Sequence, residues 1–251
     1  MMVSKYAKLK EKYEGMVFTS QRFGDVEVLE YEHSDKVLVR FIDTDNTGVF
    51  TMHNISRGKV KDREVPTVYG VGIVDIPIKG HNKAYSCWAD MLRRCYDPKF
   101  HERRPTYKTC TVAKRFHKFS EFLKWCNSAT GFDNEGWCLD KDILVKGNKI
   151  YSPNTCCFVP KEVNNVVLTS SSKRGENPVG VRYDSVRQVY SSTMGKVNSK
   201  FLGYFDTALS AFQAYKQAKE DYIKEVAELY KDQIDIRVYE ALMKYEVDIN
   251  D

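Results

Sequence analysis

The chain has 251 residues, 42% of them apolar and 13% aromatic, which is enough to build two or three small cores and excludes global disorder. No run of about 18 apolar residues is present to span a membrane, and the N-terminal MMVSKYAKLKEKYEG lacks the apolar stretch of a secretory signal. The net charge of +5 is unevenly spread, and the odd count of 7 Cys argues against a complete disulfide framework.

A reducing cytoplasm is therefore the expected compartment, with the cysteines as thiols. Residues 1–80 hold 12 Lys/Arg against 12 Asp/Glu, so this part is neutral. Residues 81–172 hold 15 against 9, and residues 173–219 hold 8 against 3. The last segment, 220–251, reverses the sign with 4 against 10. Two adjacent basic segments favour a polyanion through counterion release. A solvated basic surface is the plain alternative.

Residues 2–14 read as a short charged helix. From Gly15 to Lys61 the apolar period changes to two, in VFTSQRFG, VEVLEYEH, KVLVRFID and GVFTMHNI. Turn residues separate these runs at Phe23-Gly24-Asp25, Ser34-Asp35 and Asp45-Asn46-Thr47-Gly48. Four or five short strands predict a small β-barrel, with a connector from Pro66 to Gly80 completing a first domain over 1–80. Its aromatics Phe18, Phe23, Tyr31, Phe41 and Phe50 are expected in its core.

Residues 83–128 are predicted helical, with breaks at Asp97-Pro98 and Pro105. Trp88, Met91, Leu92 and Cys95 share one face, as do Phe116, Phe119, Phe122, Leu123 and Cys126. Strand character returns over 136–160 around a Lys146-Gly147-Asn148 turn, followed by a short helix from Lys161 to Leu168. The polar stretch Thr169–Asn177 is expected to be a hinge. It separates a second domain, 81–172, from a third, 173–251. Three short strands follow over 178–205. A long helix starts at a Thr207 N-cap and places Ala211, Phe212, Tyr215, Ala218, Tyr222 and Val226 on one face. A second helix is expected near 233–246. The fold class is thus α+β and multidomain.

Over about 50 residues the third domain resembles the APETALA2-type DNA-binding domain. The resemblance rests on Gly180-Val181-Arg182, on Leu202-Gly203-Tyr204-Phe205-Asp206-Thr207, and on Ala211, Ala214-Tyr215 and Ala218 of the helix. It implies a three-stranded sheet packed on one helix, with the free strand face reading the major groove of double-stranded DNA. Strand alternation sends Val181, Tyr190, Ser192, Met194 and Leu202 toward the helix. The outer face then carries Arg182, Ser191, Thr193 and Phe201, with Arg187, Lys196 and Lys200 at strand ends. Base reading falls to Arg182 by motif match. Ser and Thr stand on strand two, where the family often carries charge.

Residues 85–168 resemble a segment of phage HNH-type endonucleases of homing character. The matched pieces are Trp88-x-x-Met91-x-x-Arg94-Cys95, Tyr107, Cys110 and Val112, Phe119-x-x-Phe122, Leu139-Asp140-Lys141-Asp142, Tyr151-Ser152-Pro153 and Cys156 through Pro160, with Asn164 beyond. The resemblance implies a ββα core gripping one divalent metal, with a His as general base. Here Lys141 stands where that His is expected, and Thr155 stands where the closing Asn is expected. On a regular strand Asp140 and Asp142 would share a face. With Asn148 they would then form a Mg²⁺ (or Mn²⁺) site. The remaining candidate catalytic groups are Lys141, His101 and His117. The alternative for the two carboxylates is a structural network with Arg93, Arg94 or Arg104.

No close Cys pair of the C-x-x-C type is present, so zinc is not expected. Arg103 and Arg104, in KFHERRPTYK, are candidate phosphate contacts. The leading expectation is a metal-dependent DNA endonuclease acting in the cytoplasm of a bacterial host. The rival is a catalytically inactive DNA-binding protein with a repressor, architectural or antagonist role. A third reading has the acidic segment 220–251 docking a basic partner.

Overall fold

The structure, a computed structural model, describes residues 5–80, 82–168, 177–195 and 200–251. The chain is mixed α/β with several small sheets. It packs as two compact units. One comprises residues 1–98 with 117–122, and the other comprises residues 99–116 with 123–251. Among the described residues no helix is long and apolar enough to cross a membrane. None of the seven cysteines is disulfide-bonded.

In the first unit, helix α1 (Lys5–Tyr13) precedes strands β1 (Val17–Thr19), β2 (Asp25–His33), β3 (Lys36–Phe41) and β4 (Thr47–Phe50). These pair in chain order into one antiparallel sheet. The expected barrel does not close, because β1 and β4 are short edge strands that do not pair with each other. Helices cover the apolar face instead. Leu9 and Tyr13 of α1 pack on a core of Val26, Val28, Tyr31, Val37, Val39 and Phe41. Ile55 and Met52 join it from α2 (Met52–Ser56).

The last run read as a strand, GVFTMHNI, is therefore half helix. Thr51 ends the extended segment and accepts the Asn54 N–H at 3.2 Å, an N-cap that starts α2. A bulge between Val28 and Glu30 changes which residues of β2 face inward, so Val26, Val28 and Tyr31 all reach the core.

The segment read as a connector contains a hairpin, β5 (Pro66–Val68) with β6 (Gly72–Ile73). It lies on helix α3 (Lys83–Tyr96). Gly72 sits so close to Trp88 and Leu92 that a Cβ there would overlap both. Residues 117–122 belong to this unit through Ser120, whose N–H and hydroxyl both bond the Asp75 carboxylate.

Helix α4 (Pro98–Arg103) opens the second unit and leads to a 3₁₀ turn at Pro105–Tyr107 and a further one at Lys114–His117, whose last residue belongs to the first unit. Strand β7 (Thr111–Val112) pairs in parallel with β9 (Ile150–Tyr151). Helix α5 (Phe119–Cys126) begins in the first unit and ends in the second. Strand β8 (Cys138–Asp140) pairs antiparallel with β10 (Cys157–Val159), and helix α6 (Lys161–Val167) follows.

Strands β11 (Val181–Asp184), β12 (Val189–Met194) and β13 (Lys200–Phe205) form a three-stranded antiparallel sheet. Helix α7 (Ala208–Tyr230) and helix α8 (Ile236–Met243) close the chain. Thr207 caps α7 by accepting the Ser210 N–H at 3.1 Å.

Helix α7 serves two cores. Its first half packs on β11, β12 and β13, burying Ala211 and Phe212. Its second half places Ile223, Val226 and Ala227 against Ile143, Cys157, Val159, Val163 and Val166. Ile234, Val238 and Leu242 of the last segment complete that core. The acidic segment 220–251 is thus amphipathic rather than solvated on all sides. Tyr222, read as part of the buried face, is 39% exposed, and Ile223 takes its place at 0%.

Candidate nucleic-acid interface and acidic turn

Three strands put a row of polar and aromatic side chains on the face of the sheet away from α7. Arg182 on β11 lies opposite Ser191 on β12, which lies opposite Tyr204 on β13. The Ser191 hydroxyl donates to the Arg182 carbonyl at 3.1 Å. A bulge between Ser192 and Thr193 inserts one extra residue, Leu202, into β13. Phe201 then pairs with Thr193, and both Phe201 and Tyr204 point outward with ring centroids 5.0 Å apart. They are 55% and 49% exposed. On a regular strand residues three apart would face opposite ways. For that reason plain alternation finds Phe201 and misses Tyr204.

Arg187 lies in the β11–β12 turn with its guanidinium 5.2 Å from the centre of the Tyr204 ring. Asp184 holds that turn by accepting the N–H groups of Val186 and Arg187, and it pairs with the Arg187 side chain at 2.9 Å. These bonds, the Arg187 N–H first, hold the Asp184 carboxyl below its ordinary value. Arg182 and Lys200 are exposed and have no ion-pair partner among the described residues. Lys196 lies outside the described residues, as does most of the expected hinge, 169–176.

The opposite face meets α7. Ser192 is fully buried, and Tyr190 and Val181 are half-buried. Gly180 enters β11 with a φ of 75° against the ring of Tyr215, and a Cβ there would overlap that ring. The two motif residues Gly180 and Tyr215 are therefore one packing contact.

The acidic segment is a turn and not a continued strand. Strand β8 ends at Asp140, whose Oδ1 accepts the N–H groups of Asp142 and Ile143, each at 2.8 Å. This turn drops Ile143 into the core shared with α7. Asp140 and Asp142 therefore do not present their carboxylates on one strand face. Burial first, and then the neighbouring charge of Asp142, push the Asp140 carboxyl up to about 6.

Lys141 is 7% exposed. Its ammonium bonds Asp142 Oδ2 at 2.9 Å and lies 6.0 Å and 5.9 Å from the centres of the Tyr107 and Tyr151 rings. Burial works against this charge, but the hydrogen bond and charge of Asp142 outweigh it, and Lys141 titrates above the ordinary lysine value. The side chain in the expected His position is thus a held ammonium, which has no lone pair to take a proton from water.

Asn148 ties the loop to itself. Its amide donates to the carbonyls of Lys141 at 2.6 Å and Ile150 at 2.8 Å, and its oxygen accepts the Ile150 N–H. Arg93 and Arg94 both pair with Asp90. His101 is half-buried in α4, and His117 is half-buried in the first unit at the end of its turn. Arg103 and Arg104 are exposed.

A Mg²⁺ ion needs several oxygen ligands converging in near-octahedral order. Here Asp140 is turned to backbone N–H groups, Asn148 is committed to its loop, and an ammonium sits on Asp142. The residues present do not fit that ion. Among the described residues no group of three or more His, Cys, Asp or Glu is placed to hold a metal. No family model, curated protein or solved structure matches the chain.

Proposed function

We propose that this chain binds duplex DNA through the outer face of β11–β13, and that the segment around Asp140 is a scaffold and secondary grip rather than a hydrolytic centre. The observation that carries the reading is the row of exposed Arg182, half-buried Ser191 and exposed Tyr204, with exposed Phe201 beside it. Two large aromatic rings exposed on a sheet serve no core, and exposed apolar groups rimmed by cations mark interaction sites. A sheet face of this kind fits the major groove, where guanidinium groups read guanine edges and apolar groups meet thymine methyls. Arg103 and Arg104 supply phosphate contacts. The resemblance of residues 180–218 to the APETALA2-type domain supports the same reading. The protein would then be a repressor, an architectural protein or an antagonist of another DNA enzyme, acting in a bacterial cytoplasm.

A second reading, metal-dependent hydrolysis of a phosphodiester, is favoured by one observation. The order β8, β10, α6, with Asp140 at the end of β8 and Asp142 in the turn after it, is the strand–strand–helix order of the HNH-type segment it resembles. It requires Asp140 and Asp142 to leave their present partners.

One experiment separates the two. Purified protein is titrated with a pool of duplex DNA at several salt concentrations, and is incubated with supercoiled plasmid with and without Mg²⁺ or Mn²⁺. The proposal expects salt-dependent binding without nicking, and Arg182→Ala should weaken binding about tenfold. Metal-dependent nicking that Asp140→Ala abolishes would establish the second reading instead.

A further inference from the structure

The first unit contains a cleft of about 780 Å³, within the range of roughly 300–1,000 Å³ typical of small-molecule sites. Its apolar wall is formed by Phe23, Val60, Val68, Val74 and Ile78. Three cations line it: Arg22, Lys59 and Lys61. They come from two stretches far apart in the chain. None has an ion-pair partner among the described residues, and the charges acting on Lys61 are those of Arg63 and Arg22, both positive. Lys61 titrates below the ordinary lysine value, first through burial and then through these two neighbours.

The cluster is held by backbone. Gln21 donates its N–H to the Gly58 carbonyl at 2.9 Å and its side-chain amide to Arg57 at 3.2 Å. The Ser20 hydroxyl donates to the Val60 carbonyl at 3.2 Å and accepts the N–H groups of Arg22 and Phe23. Gly58, with a φ of 63°, lets its segment press against the Thr19 carbonyl, where a Cβ would lie 2.6 Å from the oxygen. The turn carrying Arg22 and the segment carrying Lys59 and Lys61 are thus bonded together before any ligand arrives.

We infer that this cleft binds a nucleoside monophosphate unit, its phosphate on Arg22, Lys59 and Lys61 and its base against the apolar wall. Three uncompensated cations suit the several charge-bearing oxygens of a phosphate, doubly charged in a free nucleotide and singly charged in each phosphodiester of a strand, better than a single carboxylate. An apolar wall beside them suits a flat, weakly polar base. The unit can come from a free nucleotide or from a single DNA strand. The inference is independent of the duplex-binding reading, because the two surfaces belong to different units of the chain.

The test is calorimetric titration of the chain carrying Arg182→Ala, which weakens the sheet face about tenfold. The probes are dAMP, deoxyadenosine, inorganic phosphate, a short oligo-dT and an acidic peptide. The expected result is saturable dAMP binding, with deoxyadenosine and phosphate each weaker by about tenfold or more. Lys59→Ala with Lys61→Ala should weaken dAMP about tenfold. Arg22→Ala, in an exposed turn, provides the same check if the double variant does not fold. Oligo-dT binding tighter than dAMP makes a DNA strand the source, and weaker binding makes it a free nucleotide. No saturable dAMP or oligo-dT binding overturns the inference. So does binding unchanged in folded variants, phosphate binding as tightly as dAMP, or an acidic peptide that displaces dAMP and binds more tightly.

Discussion

The ring of Tyr215 on α7 lies directly against the backbone of Gly180, which enters β11 in the left-handed region with a φ of 75°. A side chain at 180 would be strained by its dihedral and blocked by the ring, costs of about 1–3 kcal/mol each. Gly180→Ala should therefore lower stability by about 3 kcal/mol, read from the midpoint of urea unfolding. An unchanged midpoint would mean that the contact is not made.

A second prediction concerns the ammonium of Lys141. Asp142→Ala leaves a largely buried cation without its partner and should cost about 1–3 kcal/mol, less than for a fully buried pair because the Asp142 side chain is 40% exposed. Lys141→Met combined with Asp142→Ala should recover most of that loss, since Met fills the space between Tyr107 and Tyr151 without a charge. Denaturant unfolding of the three variants decides it. If the double variant is no more stable than Asp142→Ala, the ammonium is not the destabilised group.

The third prediction is a dependence on pH. Asp140 titrates near 3.8 when unfolded and at about 6 in the fold, so the folded state holds the proton more tightly. Its contribution is full below pH 3.8 and is lost as pH rises through about 6. Between these values wild type should lose stability relative to Asp140→Asn as pH rises. Parallel unfolding midpoints for both proteins across that window would show that the carboxyl is not shifted.

The fourth prediction separates a docking tail from a core element. Ile234, Val238 and Leu242 are 6%, 0% and 0% exposed in the core shared with β10 and α6. Each fully buried aliphatic side chain contributes about 1.5–3 kcal/mol. Deleting residues 231–251 should therefore unfold the second unit, seen as lost helical circular dichroism and rapid proteolysis. A truncated protein that keeps its helical signal and its resistance to proteolysis would return this segment to the role of a dispensable acidic tail.

What could be read from the chain follows the range of the interactions. The strand runs of β2 and β3, the Thr207 cap and most of the apolar face of α7 are local patterns and lie where the residues place them, while the β2 bulge and the exchange of Tyr222 for Ile223 do not follow from spacing. The failures all depend on contacts that spacing does not encode. One bulged residue, Leu202, brings Tyr204 outward. Two backbone N–H groups turn Asp140 away from the strand direction. Helices α1 and α2, rather than a strand pairing, cover the first sheet. The acidic count of residues 220–251 concealed one apolar stripe among the charges. Arg22 and Lys61 lie 39 positions apart, so no window along the chain contains both.

Helix α7 bears on one sheet at its first turns and on the β8–β10 pair's core at its last. Its 23 residues make a rod about 34 Å long. The rod fixes both the distance and the angular phase between the two cores it serves. Each residue added to or removed from its middle would turn one end by about 100° against the other, so the length of this helix sets how the three-stranded sheet is oriented on the β8–β10 pair.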